Sequence, residues 1–177
     1  MSEDTPETVA ATPALPAWAE AVRAACPEGV LAWRGLPGGA GEADMPLCEV
    51  AAAHWLAVVA ALKMQGFAAF GDLAAVDYPE RTPRFDVVLH LRDLAQGQLV
   101  RCRTQLGAEQ TLASLEPLFP GAGWPEREVF DLFGLRFAGN IDLRRIMLPD
   151  DWQGHPLRRD YPLTGPRALD PDSPYAL

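Results

Sequence analysis

The sequence predicts an α+β fold: a mostly antiparallel sheet of about five strands with helices on one face, followed by a long extended C-terminal arm. Three observations predict it. The apolar spacing shifts from helical to alternating, with strands in runs rather than one for each helix, and that order favours an antiparallel sheet covered on one side. Residues 85–91 and 99–104 alternate on either side of a turn at Gly97. Residues 124–163 carry thirteen formal charges and four prolines. Each proline removes a backbone donor, so this stretch is expected to lie along another surface rather than form a layer of its own.

The elements follow in order. Residues 1–16 read as a flexible leader, 17–137 as a compact α+β domain and 138–177 as an extended arm. AWAEAVRAAC at 17–26 has helical composition, with Trp18, Val22 and Ala25 on one face; Pro27 and Gly29 stop it. Val30–Trp33 and Leu47–Val50 are short strands that can pair across the turn-rich loop at 36–44. Ala51–Gln65 is a helix with Leu56, Val59, Ala60, Lys63 and Met64 at helical spacing and Gly66 as its C-cap. Phe67–Val76, Phe85–Leu91 and Leu99–Thr104 form an antiparallel meander, with Arg101 and Arg103 pointing outward. His54 and His90 read as surface or cross-strand residues, and Glu109–Phe119 reads as a further helix.

Charge narrows the function classes. The chain carries −9, of which residues 124–163 contribute only −1. An acidic body argues against nucleic acid, whose phosphates require a basic footprint, and against docking on anionic lipid. Cys26, Cys48 and Cys102 form no C-x-x-C pair; they read as small core residues in a reducing compartment, with neither disulfides nor a metal site. The start of the chain lacks a basic, apolar secretory signal, and the longest apolar run, Trp55–Leu62, is far short of the ~20 residues a bilayer crossing needs.

The charged segment opens with a short amphipathic helix, Pro125–Phe133. Proline fits its first turn, Glu126 and Glu128 complement its positive end, and Gly134 suits the left-handed position after it. Val129, Phe130 and Phe133 make the apolar stripe; Glu126, Arg127 and Asp131 are expected on the polar side. Leu135–Phe137 can be extended, and residues 138–140 turn the chain. The pairs Arg144-Arg145 and Arg158-Arg159 stand among Asp142, Asp150, Asp151 and Asp160, where guanidinium forks suit bidentate contact with carboxylates of a neighbouring surface. Trp152 and Tyr161 are typical interface anchors. A competing reading places a hydrolytic metal site on Asp151, His155 and Asp160, with Asp150 beside them, and it suffers from having one imidazole among well-partnered acids.

The runs Glu126-Arg127-Glu128-Val129-Phe130-Asp131-Leu132-Phe133-Gly134, Asp142-Leu143-Arg144-Arg145-Ile146 and Asp151-Trp152-Gln153-Gly154-His155-Pro156-Leu157-Arg158-Arg159-Asp160-Tyr161-Pro162-Leu163 closely resemble the 30 kDa subunit family of respiratory complex I, the NADH-quinone oxidoreductase subunit designated C. Weaker agreement extends upstream through Ala75–Tyr78 and Phe85–Leu91. One position departs: Asn140 stands where the family usually has His or Lys. The resemblance implies a non-catalytic scaffold subunit of the hydrophilic arm, with no catalytic, cofactor-binding or metal residues of its own. Flavin mononucleotide (FMN) and iron–sulfur clusters are implied in other subunits. It further implies that the arm at 138–177 wraps the large quinone-site subunit, designated D, that other hydrophilic-arm subunits are neighbours, and that the assembly passes electrons from NADH to quinone while pumping protons. The implied location is the cytoplasmic side of the inner membrane, peripheral and without direct insertion. Relatives also occur in membrane-bound hydrogenases and in dehydrogenases using ferredoxin or other donors, so an equivalent role in such a complex is the alternative. Interface residues implied are Glu126, Arg127, Glu128, Asp131, Arg144, Arg145, Asp151, Trp152, His155, Arg158, Arg159, Asp160 and Tyr161.

Overall fold

Two tryptophans and a phenylalanine hold the first helix in place. In the structure, a computed structural model that describes residues 15–37 and 45–163, Trp18 meets Trp33 edge-on at 5.4 Å and Phe67 at 4.6 Å. The leader up to residue 14 and the last residues from 164 lie outside the described residues. Trp18 belongs to α1 (Ala17–Ala25), Trp33 to β1 (Val30–Leu36), and Phe67 follows α2 (Trp55–Met64).

Five strands make the sheet: β1, β2 (Met45–Val50), β3 (Ala69–Asp77), β4 (Phe85–Asp93) and β5 (Gln98–Leu106), in the order β1-β2-β5-β4-β3. The expected hairpin of β1 with β2 and the expected meander β3-β4-β5 are both present and antiparallel. The two units join through one parallel seam, Leu47–Val50 against Arg101–Thr104. Alternation decides the faces. Phe85, Val87, Leu89, Leu91, Val100 and Cys102 turn to the core with Val22, Trp55, Val58, Val59 and Leu62 from the helices. Cys48 and Cys102 are register partners inside that core.

Two expectations are corrected here. On α2 the buried residues are Trp55, Val58, Val59 and Leu62, while Met64 is exposed. The helix is apolar nearly all round, so spacing alone could not choose its inward side. The expected helix at 109–119 is replaced by a strand, β6 (Thr111–Ala113), followed by turns. Its backbone is claimed by β7 (Arg136–Ala138), which pairs with it in parallel through Thr111–Arg136, Leu112–Phe137 and Ala113–Ala138. A tertiary ladder thus overrides a weak local helix preference.

Between β6 and β7 runs α3 (Gly123–Phe133), the crossover of a small β-α-β unit. Val129 and Phe133 bind it to the common core, and Leu112, Leu115, Leu135 and Phe137 complete that corner. Beyond Ala138 the described chain has turns but no further helix or strand.

Candidate functional site

The C-terminal end of α3 organises the charged segment. A helix leaves its last carbonyls without intrahelical donors, and Gly134 at φ +75° answers one of them by donating its N–H to Phe130 O at 2.8 Å. The segment after β7 answers the next three. Leu157 N donates to Leu132 O at 3.0 Å and Arg158 Nε to Phe133 O at 2.6 Å. Asp131 O accepts from His155 Nδ1 at 2.8 Å and from Arg145 Nη1 at 3.3 Å. A carbonyl can only accept, so the His155 proton sits on Nδ1. Burial, with Arg158 and Arg145 nearby, lowers the His155 pKa against the opposing pull of that carbonyl, which keeps the ring neutral. Two guanidiniums at a helix C-terminus also complement its negative dipole end.

Asp131 is the hub. Its side chain is fully buried. Oδ2 accepts three successive backbone N–H groups, Ile146 at 3.0 Å, Met147 at 2.8 Å and Leu148 at 2.9 Å. Oδ1 pairs with Arg145 Nη1 at 2.6 Å, and Arg145 Nη2 goes on to Trp152 O at 2.8 Å and Gly154 O at 3.1 Å. Burial works to raise this carboxyl, but the Arg145 hydrogen bond and the three N–H groups outweigh it and hold the pKa below the usual carboxylate range.

Glu126 does the same for the β-α-β unit, without a cation. It is fully buried and accepts from Leu115 N at 2.6 Å, Ser114 Oγ at 2.8 Å and Asn140 Nδ2 at 2.9 Å. It thereby ties the chain just after β6 to the turn just after β7. Asn140 Oδ1 in turn accepts from Asp142 N at 3.0 Å. Burial raises the Glu126 pKa, against the lowering effect of its three donors. The folded form therefore binds its proton more tightly than the unfolded chain, and this residue's contribution to stability falls as pH rises from about 4.3 through the raised value. Asn140→Asp would set a second carboxylate against Glu126. It is expected to cost about 2 kcal/mol at pH 7 and less near pH 4, where the carboxyls protonate; chemical denaturation at the two pH values checks this.

Glu126 and Asp131, expected on the polar side of the helix, are thus both buried, and donors from residues 11–17 positions away offset the cost of that burial. Arg127 bonds the carbonyls of Arg144 and Arg145, each at 3.2 Å, reaches Asp142 at 3.5 Å and lies over Trp124 at 5.1 Å.

A second clasp holds the far end. Arg84 grips buried Asp77 through Nε at 2.6 Å and Nη2 at 2.7 Å, and its Nη1 reaches Asp160 at 2.8 Å. Arg159 N donates to Asp77 Oδ2 at 2.8 Å. The Arg84 hydrogen bonds lower both acids and raise Arg84. Tyr161 Oη donates to Gln153 O at 3.1 Å, and Arg144 pairs with Asp142 at 2.9 Å. Glu128, Asp151 and the Arg159 side chain face solvent, and Trp152 is half-buried. Asp77, Arg84 and Ser114 are site residues that the sequence alone did not single out. Spacing holds a signal only for the first two, which bracket one turn.

The ionic groups of the segment therefore find many of their partners inside the chain, contrary to the expectation that a neighbour must supply them. Large apolar side chains nevertheless face outward: Ile141 (92% exposed), Met147 (64%), Leu157 (52%) and Trp124 (63%). Because Arg158 bonds a buried helix end and lies 5.4 Å from the Phe85 ring, Arg158→Ala should lower the stability of the isolated chain by about 1–2 kcal/mol, measured by thermal melting. Asp151, His155 and Asp160 are each engaged elsewhere or facing solvent, and no group of three or more His, Cys, Asp or Glu among the described residues could hold a metal ion. Among the same residues no helix is long and apolar enough to cross a membrane.

Comparison with known proteins agrees with this architecture. A family model described as respiratory-chain NADH dehydrogenase, 30 Kd subunit, matches residues 48–167. The NADH-quinone oxidoreductase subunit designated C of Jannaschia sp. (strain CCS1) is 48% identical over 99 residues, covering 56% of this chain and 48% of that protein. Its counterpart of the same designation in Ruegeria sp. (strain TM1040) is 50% identical over 99 residues, covering 56% and 49%. The chain thus spans about half the length of the curated relatives it matches. Among solved structures, a trypsin-resistant fragment (1–134) of Nqo5 superposes with TM-score 0.58 at 27% identity, covering 71% of this chain and 96% of that one. A chain of the membrane-bound sulfane sulfur reductase, an archaeal respiratory membrane complex, shares the fold with TM-score 0.66 at 21% identity, covering 82% and 85%.

Proposed function

Because the chain belongs to the respiratory-chain NADH dehydrogenase 30 kDa subunit family, we propose that it is a scaffold subunit of the peripheral arm of an NADH-quinone oxidoreductase and does no redox chemistry itself. In this reading residues 138–163 dock on the large quinone-site subunit, at the cytoplasmic side of the membrane, while FMN, iron–sulfur clusters and proton translocation belong to other subunits. One observation carries it. Arg145, His155 and Arg158 are turned inward onto the end of α3, while three large apolar side chains of the same segment (Ile141, Met147, Leu157) are left facing out among exposed charges. Leaving such surface in water is unfavourable by roughly 25 cal/mol per Å², and several large apolar side chains exposed on one short segment favour an interaction site. Asp131 and Arg145 fix the run before any partner arrives, so less conformational entropy is lost on docking.

The test separates docking from folding. Ile141→Asp with Met147→Asp should leave the melting temperature of the free chain nearly unchanged, since both side chains are already exposed. Association with the co-expressed quinone-site subunit, measured by quantitative pull-down, should fall at least tenfold, equivalent to about 1.4 kcal/mol. Undiminished association would overturn the proposal.

A further inference from the structure

The sheet has a second face, opposite the helices. Register places Arg34 of β1, Glu49 of β2, Arg101 and Arg103 of β5, and Asp86 and His90 of β4 on it. Buried Leu47 lies outside the helix-side core, in register with Arg34 and Arg101. Toward the β3 edge the same face carries Val88, Ala74 and Val76, the last 39% exposed.

Charge on this face is layered. The acids lie deep: the side chains of Asp86 and Glu49 are 3% and 18% exposed. The guanidiniums lie over them: Arg34 is 3.3 Å from Glu49, Arg103 pairs with Glu49 and stands 3.8 Å from Asp86, and Arg81 pairs with Asp86. Arg101 Nε donates to His90 Nε2 at 2.8 Å, so that ring is neutral with its proton on Nδ1. Arg92 is exposed beside them. Five guanidiniums (Arg34, Arg81, Arg92, Arg101, Arg103) against three carboxylates (Glu49, Asp72, Asp86) leave +2 here, so the rest of the chain carries −11. Glu49 and Asp86 lie beneath the guanidiniums and only Asp72 is exposed, so the field that solvent meets over Arg34, Arg81 and Arg103 is more positive than the formal count.

We propose that this face is a second docking surface, separate from the arm, for a carboxylate-rich surface of another protein subunit. Arg34, Arg81 and Arg103 are half-anchored by the acids beneath them and Arg101 by His90, which leaves planar forks with spare N–H donors in a largely fixed array. That geometry matches carboxylates bidentately and loses little side-chain entropy on pairing. The apolar strip of Val88, Ala74 and Val76 beside the array supplies surface that a partner can desiccate. Nucleic acid and anionic lipid would have to approach against the −11 of the remaining chain, which an acidic patch on a folded partner can avoid by shape.

The inference does not rest on the arm, and its test uses different residues. Arg92→Lys and Arg101→Lys keep the charge and introduce an amine that carbodiimide joins only to a touching carboxylate. In the assembled complex the expected product is a cross-link from position 92 or 101 to an Asp or Glu of another subunit. The double variant Arg92→Glu/Arg101→Glu should weaken assembly at least tenfold, most at low salt. The proposal is overturned if the introduced amines are acetylated as fast in the complex as in the free chain, or if charge reversal leaves assembly unchanged. It is equally overturned if the full chain prefers an RNA oligonucleotide or phosphatidylglycerol vesicles to poly-glutamate, or if sedimentation shows that the face joins two copies of this chain. Loss of assembly in the Ile141 and Met147 variants, with the sheet-face cross-link absent, would leave the arm reading standing alone.

Discussion

Asp131→Ala is expected to cost the isolated chain about 3–5 kcal/mol, because it takes the carboxylate from Arg145 and strands the three backbone N–H groups that converge on Oδ2. The loss should appear in urea titration as a lower midpoint, and in limited proteolysis as cleavage near residues 141–157 before the sheet opens. Asp131→Asn is a sharper version. One amide oxygen can replace Oδ2, but the amide nitrogen would face the Arg145 guanidinium, donor against donor. The pH dependence has a definite sign. The folded pKa of Asp131 lies below its unfolded value of about 3.9, so its contribution is complete above that value and is lost as pH falls through the folded one. Wild-type stability should therefore drop on acidification below about pH 4, while the Asp131→Ala variant, already without this carboxylate, should show a shallower slope. Equal slopes would mean the carboxylate is not the hub described.

Gly134→Ala should be nearly as damaging, at about 3 kcal/mol. Its φ of +75° costs an L-residue about 1–2 kcal/mol. The added methyl would also come within 2.6 Å of the Arg158 guanidinium and the His155 ring. Both side chains cap the helix end, so neither can retreat without giving up a carbonyl. The expected signature is twofold: a lower melting temperature, and loss of the shifted resonance that marks His155 Nδ1–H in its hydrogen bond, read by NMR. A variant that melts like the wild type would show that the left-handed position is not needed to close the helix on the segment.

The parts of the fold legible in the sequence are those written in period or in punctuation. The meander is readable because Phe85–Leu91 and Val100–Cys102 alternate, and α3 because Pro125 and Gly134 bracket an apolar stripe. Residues 109–119 are not readable, since their strand depends on Arg136–Ala138 being brought alongside by the α3 crossover. The site divides the same way. Arg145, Arg158 and Asp160 can be recognised as ion-pairing groups. That their partners are the end of α3 and the Asp77–Arg84 clasp cannot, because helix-end carbonyls have no sequence identity and a carboxylate's burial is decided by donors distant in the chain. Asn140 is visible as a departure from the family pattern, but its hydrogen bond to Glu126 gives that departure a meaning only in three dimensions.

The parallel seam between β2 and β5 has a consequence in time as well as in space. Its partners, Leu47–Val50 and Arg101–Thr104, are separated by the whole of α2, β3 and β4. The meander closes through neighbouring hairpins, whereas the seam must wait until that long intervening loop has organised. The nascent polypeptide thus carries the β1-β2 hairpin as an unclosed flap until β5 has been made, with the Cys48 edge exposed until Cys102 arrives to cover it.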